Sequence, residues 1–190
     1  MDTSHGKIIL LNGASSAGKS TLAQAIQDQA DVPFLQFSLD FFMFNSKVLP
    51  KLGISSGAFT WSEIRPKLFD GYYQCLAALA GAGNHLVIDS IIENKAQLER
   101  LVLFLEPFDV FYVGVHCPLP ELERRELQRA DRRIGDAKRD FETVHTFSAY
   151  DFEVDSSLAA DVNAKSILEA WEQRVVPSVF AGLASKPQTS

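Results

Sequence analysis

Residues Gly13 to Thr21 read Gly-Ala-Ser-Ser-Ala-Gly-Lys-Ser-Thr and satisfy the spacing G-x-x-x-x-G-K-[ST] through Gly13, Gly18, Lys19 and Ser20. Phosphate binding demands small residues where the backbone must turn tightly enough to aim successive N–H groups at oxygen. Gly13, Ala14, Ser15, Ser16, Ala17 and Gly18 would supply that cradle. Lys19 would reach the outer phosphates of a nucleoside triphosphate, Ser20 would ligate Mg²⁺, and Thr21 would start a helix. A Gly/Ser-rich turn can match such letters by chance. Here the apolar run Lys7-Ile8-Ile9-Leu10-Leu11-Asn12 precedes the loop, and Leu22 and Ile26 follow at helical spacing. A strand therefore runs into the loop, and the loop opens on a helix N-terminus whose dipole favours an anion.

Phosphoryl transfer needs more than a cradle: a metal, a group that orients or deprotonates the acceptor, and positive charge around the moving phosphoryl. Asp40 follows the apolar run Pro33–Leu39, so it should point to the same sheet edge as the loop, where a carboxylate can take a proton from an alcohol. A helix cap is the bland alternative. Asp89 ends the run His85-Leu86-Val87-Ile88 and is placed to support Mg²⁺ with Ser20, since Mg²⁺ commonly takes only one or two protein carboxylates. Here too a strand-end cap is the alternative.

Residues 124–139 hold Arg124, Arg125, Arg129, Arg132, Arg133 and Arg139 against the single lysine Lys138. Arg125, Arg129 and Arg132 stand at i, i+4 and i+7, so one helix face would offer three guanidinium groups to phosphate oxygens. With Gly135 as a bend, residues 124–142 read as an arginine-rich lid. Glu121, Glu123, Glu126, Asp131, Asp136, Asp140 and Glu142 support the alternative of a solvated helix laced with ion pairs. Phe41, Phe42, Met43 and Phe44 are consecutive, so no regular element buries all four on one face, and some are expected to line an apolar acceptor pocket beside Asp40. His116 and His145 have no partner at metal-ligand spacing and read as structural.

The elements that must position these groups alternate. Strands are expected at 7–12, 33–39, 85–89, 108–115 and 150–155. Helices are expected after the loop, from a capping box at Thr60 and Glu63 with Pro66 in the first turn, from Asn94, from Pro118, and through Val162, Ile167, Leu168 and Trp171. Residues 41–61 read as irregular. Such alternation implies an α/β fold: three α/β/α layers around a mostly parallel sheet, with the ligand beyond the C-terminal strand ends.

The 190 residues, 46% hydrophobic, suit one domain over 1–190, with residues 184–190 as a frayed polar tail. A net charge of −6 argues against a nucleic-acid or anionic-membrane partner. Cys75 and Cys117 lie in apolar stretches and read as reduced core residues of a cytoplasmic protein. No apolar run approaches the roughly 18 residues of a membrane span. The expected partners are ATP and a small molecule; monomer and homo-oligomer both stay open.

The series Gly13–Ser20, Phe37-Ser38-Leu39-Asp40, Val113-Gly114-Val115-His116-Cys117, Arg125-Glu126, Arg129, Asp131-Arg132, Gly135, Val144-His145, Tyr150-Asp151 and Val154-Asp155 resembles the chloramphenicol phosphotransferase family from residue 8 to about residue 171. The resemblance implies a P-loop kinase fold with a five-stranded sheet and transfer of the ATP γ-phosphate to the primary hydroxyl of chloramphenicol. It assigns Asp40 as the base, Lys19 and Ser20 to nucleotide and Mg²⁺, and Arg129 and Arg132 to the lid. Segment 41–61, where acceptor contacts belong, matches least. Two other readings stand beside this one: a kinase of another metabolite or nucleotide-like acceptor, and a non-catalytic nucleotide switch. Against a guanine-nucleotide switch, Asn94-Lys95-Ala96-Gln97 fails N-K-x-D at its last position.

Overall fold

A computed structural model describes residues 4–45, 48–49, 60–128, 135–147, 149–174 and 177–184. The elements are β1 (Ile8–Asn12), α1 (Lys19–Gln29), β2 (Phe34–Ser38), a π-helical turn (Phe41–Asn45), α2 (Trp61–Gly81), β3 (His85–Ser90), α3 (Lys95–Leu105), β4 (Val110–His116), α4 (Leu119–Gln128), α5 (Asp136–Thr143), β5 (Phe152–Asp155), α6 (Ala160–Gln173) and α7 (Val179–Ala184). All strand pairs are parallel, and the order across the sheet is β2-β3-β1-β4-β5.

Central strands covered on both faces need apolar side chains at every position, and β1 supplies them. Its side chains alternate between two cores. Ile9 and Leu11 meet Leu22 and Ile26 of α1, Leu122 of α4 and Ile167 of α6 on one face. Ile8 and Leu10 meet Tyr72 and Leu76 of α2, Leu98 and Leu101 of α3 and Phe180 of α7 on the other. The sheet is thus the middle of three layers, as the alternation of elements implies.

Register then fixes what stands at the C-terminal edge. Leu11 pairs with Asp89 and Asn12 with Ser90, while Ser38 also pairs with Asp89. The loop after β1, Asp89 in β3 and Asp40 just past β2 therefore share one rim.

Several local expectations shift. The fifth strand starts at Phe152, not Tyr150, and α7 follows α6 without having been foreseen. Pro66 lies in the second turn of α2, which begins at Trp61, so the helix forgoes one N–H donor there. Thr60 still caps it, its N–H donating to Glu63 at 2.9 Å. The buried stripe of α2 runs through Tyr72, Tyr73, Leu76 and Ala80. Cys75 falls off that stripe and is exposed, whereas Cys117 is buried as expected, and both thiols are free. Among the described residues no helix is long and apolar enough to cross a membrane.

Leu10 is fully buried on the central strand. Leu10→Ala should lower unfolding free energy by about 2–5 kcal/mol in a denaturant titration; a loss under about 1 kcal/mol would contradict the packing described.

Candidate active site

The loop after β1 holds its shape through close backbone contacts. A Cβ on Gly13 would stand 2.4 Å from the carbonyl oxygen of Val115, and Gly18 has φ +86°, so only glycine sits at either position without strain. Ser16 also adopts a left-handed conformation, φ 64°, which costs a non-glycine residue of order 1 kcal/mol.

Helix α1 begins at Lys19 with no side-chain cap and no acidic residue in its first turn. Its N-terminal amides and positive dipole end are left for an external anion. Helices α3 and α5 are capped internally, whereas α6, like α1, has no side-chain cap. Asn94 accepts from the Gln97 N–H at the start of α3. Glu126, 3% exposed, accepts from the Gly135 and Ala137 N–H groups at the start of α5, both at 2.8 Å.

Lys19 and Asp89 are both buried beside the loop. Lys19 Nζ donates to the Ala14 carbonyl at 2.8 Å and stands 3.7 Å from Asp89 Oδ1. Ser20 Oγ donates to Asp89 Oδ2 at 2.5 Å. Tyr72 lies beneath, its phenol pushed well above the usual range by burial first and then by the charges of Asp89 and Asp40. The hydroxyls of Ser15 and Ser16 are buried without a hydrogen-bond partner. The small residues of the loop and the uncapped helix end fit a chain of phosphates.

A cleft of about 490 Å³ runs over this loop. Lys19, Ser20, Asp40 and Asp89 line it with Arg125 and Ser156. The structure thus brings together the loop, both predicted carboxylates and one predicted arginine. Arg125 is held by Glu121 at 2.7 Å and by the Ser156 carbonyl at 3.0 Å, which sets its guanidinium against Gly18. The arginine cluster serves in part the bland purpose too. Arg124 pairs with Glu121, and Arg139 with Asp136 and Asp140. Arg129, Arg132 and Arg133 lie outside the described residues.

A second cleft, about 380 Å³, opens on the other side of the loop and includes Asp40, Met43, Trp61, Glu93, Asp136 and Arg139. The aromatic pocket expected from 41–44 is only partly realised. Met43 lines this cleft, Phe42 instead packs at a tilt against Tyr72, and Phe41 is 62% exposed. A π-helical turn splays consecutive side chains apart, so they cannot share one wall. Glu93 was not singled out from sequence, and Arg139 and Asp140 entered only as members of the charged cluster at 121–142; among so many charged residues nothing local distinguishes those that fold inward.

Behind the loop, Asn12 donates to Tyr150 Oη at 2.9 Å and accepts from the Ile92 N–H at 2.9 Å. Tyr150 Oη lies 2.7 Å from His145 Nδ1. His145 stacks on His116 with ring centroids 4.0 Å apart, and His116 meets Glu153. The two histidines, read from sequence as structural, join a network with Asn12 that was not legible there. Burial, then the neighbouring His116, pushes His145 down to about 4, so it stays neutral and free to accept from Tyr150. Its folded pKa is lower than the usual ~6.5, so its stabilisation is complete above about pH 6.5 and fades as pH falls toward 4. The melting temperature should drop between pH 7 and pH 4.5. His145→Asn, which accepts but cannot protonate, should reduce that drop; an unchanged pH profile would contradict the role assigned.

Residues 6–172 match the family described as Chloramphenicol phosphotransferase-like protein. A Mycobacterium tuberculosis H37Rv protein named "Putative O-phosphotransferase Rv2636" is 30% identical over 201 residues, covering 95% of this chain and 89% of the relative. Among solved structures, the M. tuberculosis APS kinase CysC in complex with AMPPNP and APS superposes with TM-score 0.67 at 18% identity, covering 89% of this chain and 99% of that one. Shikimate kinase from Aquifex aeolicus gives TM-score 0.57 at 19% identity, over 87% and 96%. The fold is that of P-loop kinases.

Proposed function

The chain belongs to the chloramphenicol phosphotransferase-like family and is a kinase-type phosphotransferase, and from that premise we propose that it moves the γ-phosphoryl of ATP to a hydroxyl of a small acceptor held against Asp40. The observation that carries this reading is the meeting of two clefts. Ser15, Asp40, Asp89 and Ile91 line both, so a group bound in one can be handed to the other without leaving the protein.

In this reading the loop from Gly13 to Thr21 and Arg125 hold the nucleotide. Ser20 and Asp89 hold Mg²⁺, directly or through water, and the ion when bound neutralises charge on the phosphates. Asp40 accepts the proton of the acceptor hydroxyl as its oxygen attacks. Lys19, with Arg129 and Arg132 from the lid, stabilises the transferring phosphoryl, and the lid excludes water.

The acceptor cleft has the volume of a small-molecule site. Met43 and Trp61 offer apolar contact, while Glu93 and Asp136 offer hydrogen-bond acceptors. That mixture suits a compound with both an apolar body and several hydroxyls, and chloramphenicol, phosphorylated at its 3-hydroxyl, is the leading candidate. Another hydroxyl-rich metabolite is the second reading, favoured by those same two carboxylates.

Asp40→Ala should lower transfer by about 100- to 10,000-fold, with ATP affinity within about twofold of wild type by calorimetry. Mass spectrometry of chloramphenicol incubated with enzyme and ATP reads the product. Transfer by the variant within tenfold of wild type would remove Asp40 from the mechanism.

A further inference from the structure

Arg139 stands one carboxyl group away from the phosphate loop. Asp140 of α5, 2% exposed, accepts the Ser15 N–H through Oδ2 at 3.1 Å, while its Oδ1 accepts from Arg139 Nε at 3.2 Å and Nη2 at 2.9 Å. Asp136, one helical turn earlier, takes Nη1 at 2.9 Å. A guanidinium carries five N–H groups, so these three bonds leave one on each terminal nitrogen. The Arg139 side chain is 60% exposed and lines the acceptor cleft, which leaves room for a ligand on those two groups.

The charges around the two clefts show what such a cation is for. Among the described residues, Lys19 and Arg125 line the nucleotide cleft and not the acceptor cleft. The acceptor cleft holds Asp40, Asp89, Glu93, Asp136 and Asp140, and Arg139 is its one cation among the described residues. A phosphoryl group leaving the donor side would therefore arrive among carboxylates, which repel its oxygens. Arg139 is clamped from two sides, and its planar fork is fixed before any ligand arrives.

We propose that Arg139 is a catalytic residue whose two remaining N–H groups donate to oxygens of the phosphoryl group as it lands on the acceptor. This rests on the phosphotransfer reading above and supplies it with a cation on the acceptor side. The bond formed is acceptor oxygen to Pγ; the bond broken joins Pγ to the β–γ bridging oxygen, whose electron pair leaves with ADP. The acceptor proton goes to Asp40. Arg139 keeps its own protons throughout and acts as a preorganised charge toward the group in transit.

The first test needs no acceptor. ADP affinity is measured by calorimetry on the full chain in Mg²⁺, with and without fluoroaluminate, whose planar anion imitates the phosphoryl group in flight. In wild type fluoroaluminate should tighten ADP binding by about 100-fold or more. Arg139→Gln should remove roughly 10- to 100-fold of that gain, with affinity for ADP alone within about twofold of wild type. Since that change strips Asp140 of its counter-ion, Arg139→Gln/Asp140→Asn is measured beside it; the amide still accepts from Ser15 and strands no buried charge. With a productive acceptor, kcat should fall by about 100- to 1,000-fold while the acceptor KM stays within about threefold. No gain in wild type, or a gain that either variant keeps, overturns the proposal. So does a loss confined to the acceptor KM, which would make Arg139 the partner of an anionic group on the acceptor itself. If the gain depends on Arg139 but no hydroxyl compound accepts the phosphoryl group, the proposed function fails and the Arg139 contact stands.

Discussion

The parallel register of β2, β3 and β1 is the constraint on which the site depends. Ser38 and Leu11 both pair with Asp89, so the residues just beyond those positions reach the same rim of the sheet. A slip of one residue in β3 would turn Asp89 into a core face and bring Ile88 or Ser90 to the loop. The two apolar layers forbid that slip, because Leu86 and Ile88 belong to one core and Val87 to the other. Chemistry at the rim is thus held in place by hydrophobic alternation several residues away.

At that rim charged groups meet an open cleft. Two carboxylates, Asp40 and Asp89, sit with an uncapped helix end, a lysine against its own loop carbonyl, and two orphaned hydroxyls. The uncapped helix end is complemented by an anion. The helices that carry no ligand chemistry, α2 and α3, are capped by their own sequence.

The phosphate loop was legible because its parts are contiguous. Asp89 and Asp40 were legible because a hydrophobic run ending in an acid marks a strand end, and an alternating α/β pattern tells which edge that end faces. What escaped notice depends on tertiary partners. Asp140 looks like one more charge in a polar helix until α5 brings it against Ser15. Glu126 looks solvated until the start of α5 folds back onto it. Tyr150 reads as strand, yet it serves as a hydrogen-bonding strut between His145 and Asn12. Cys75 was misplaced because α2, though apolar around much of its circumference, buries only one stripe. The helical face of Arg125, Arg129 and Arg132 is represented by Arg125 alone within the described residues, and its guanidinium does reach the nucleotide cleft.

The central claim, that one group passes between two clefts sharing Ser15, Asp40, Asp89 and Ile91, is tested most directly by following label from [γ-³²P]ATP while titrating a panel of hydroxyl compounds that includes chloramphenicol. The account predicts that ADP release rises with a productive acceptor and that label appears in that acceptor in a one-to-one ratio with ADP. ADP release indifferent to every acceptor, with the label recovered only as inorganic phosphate, would contradict it.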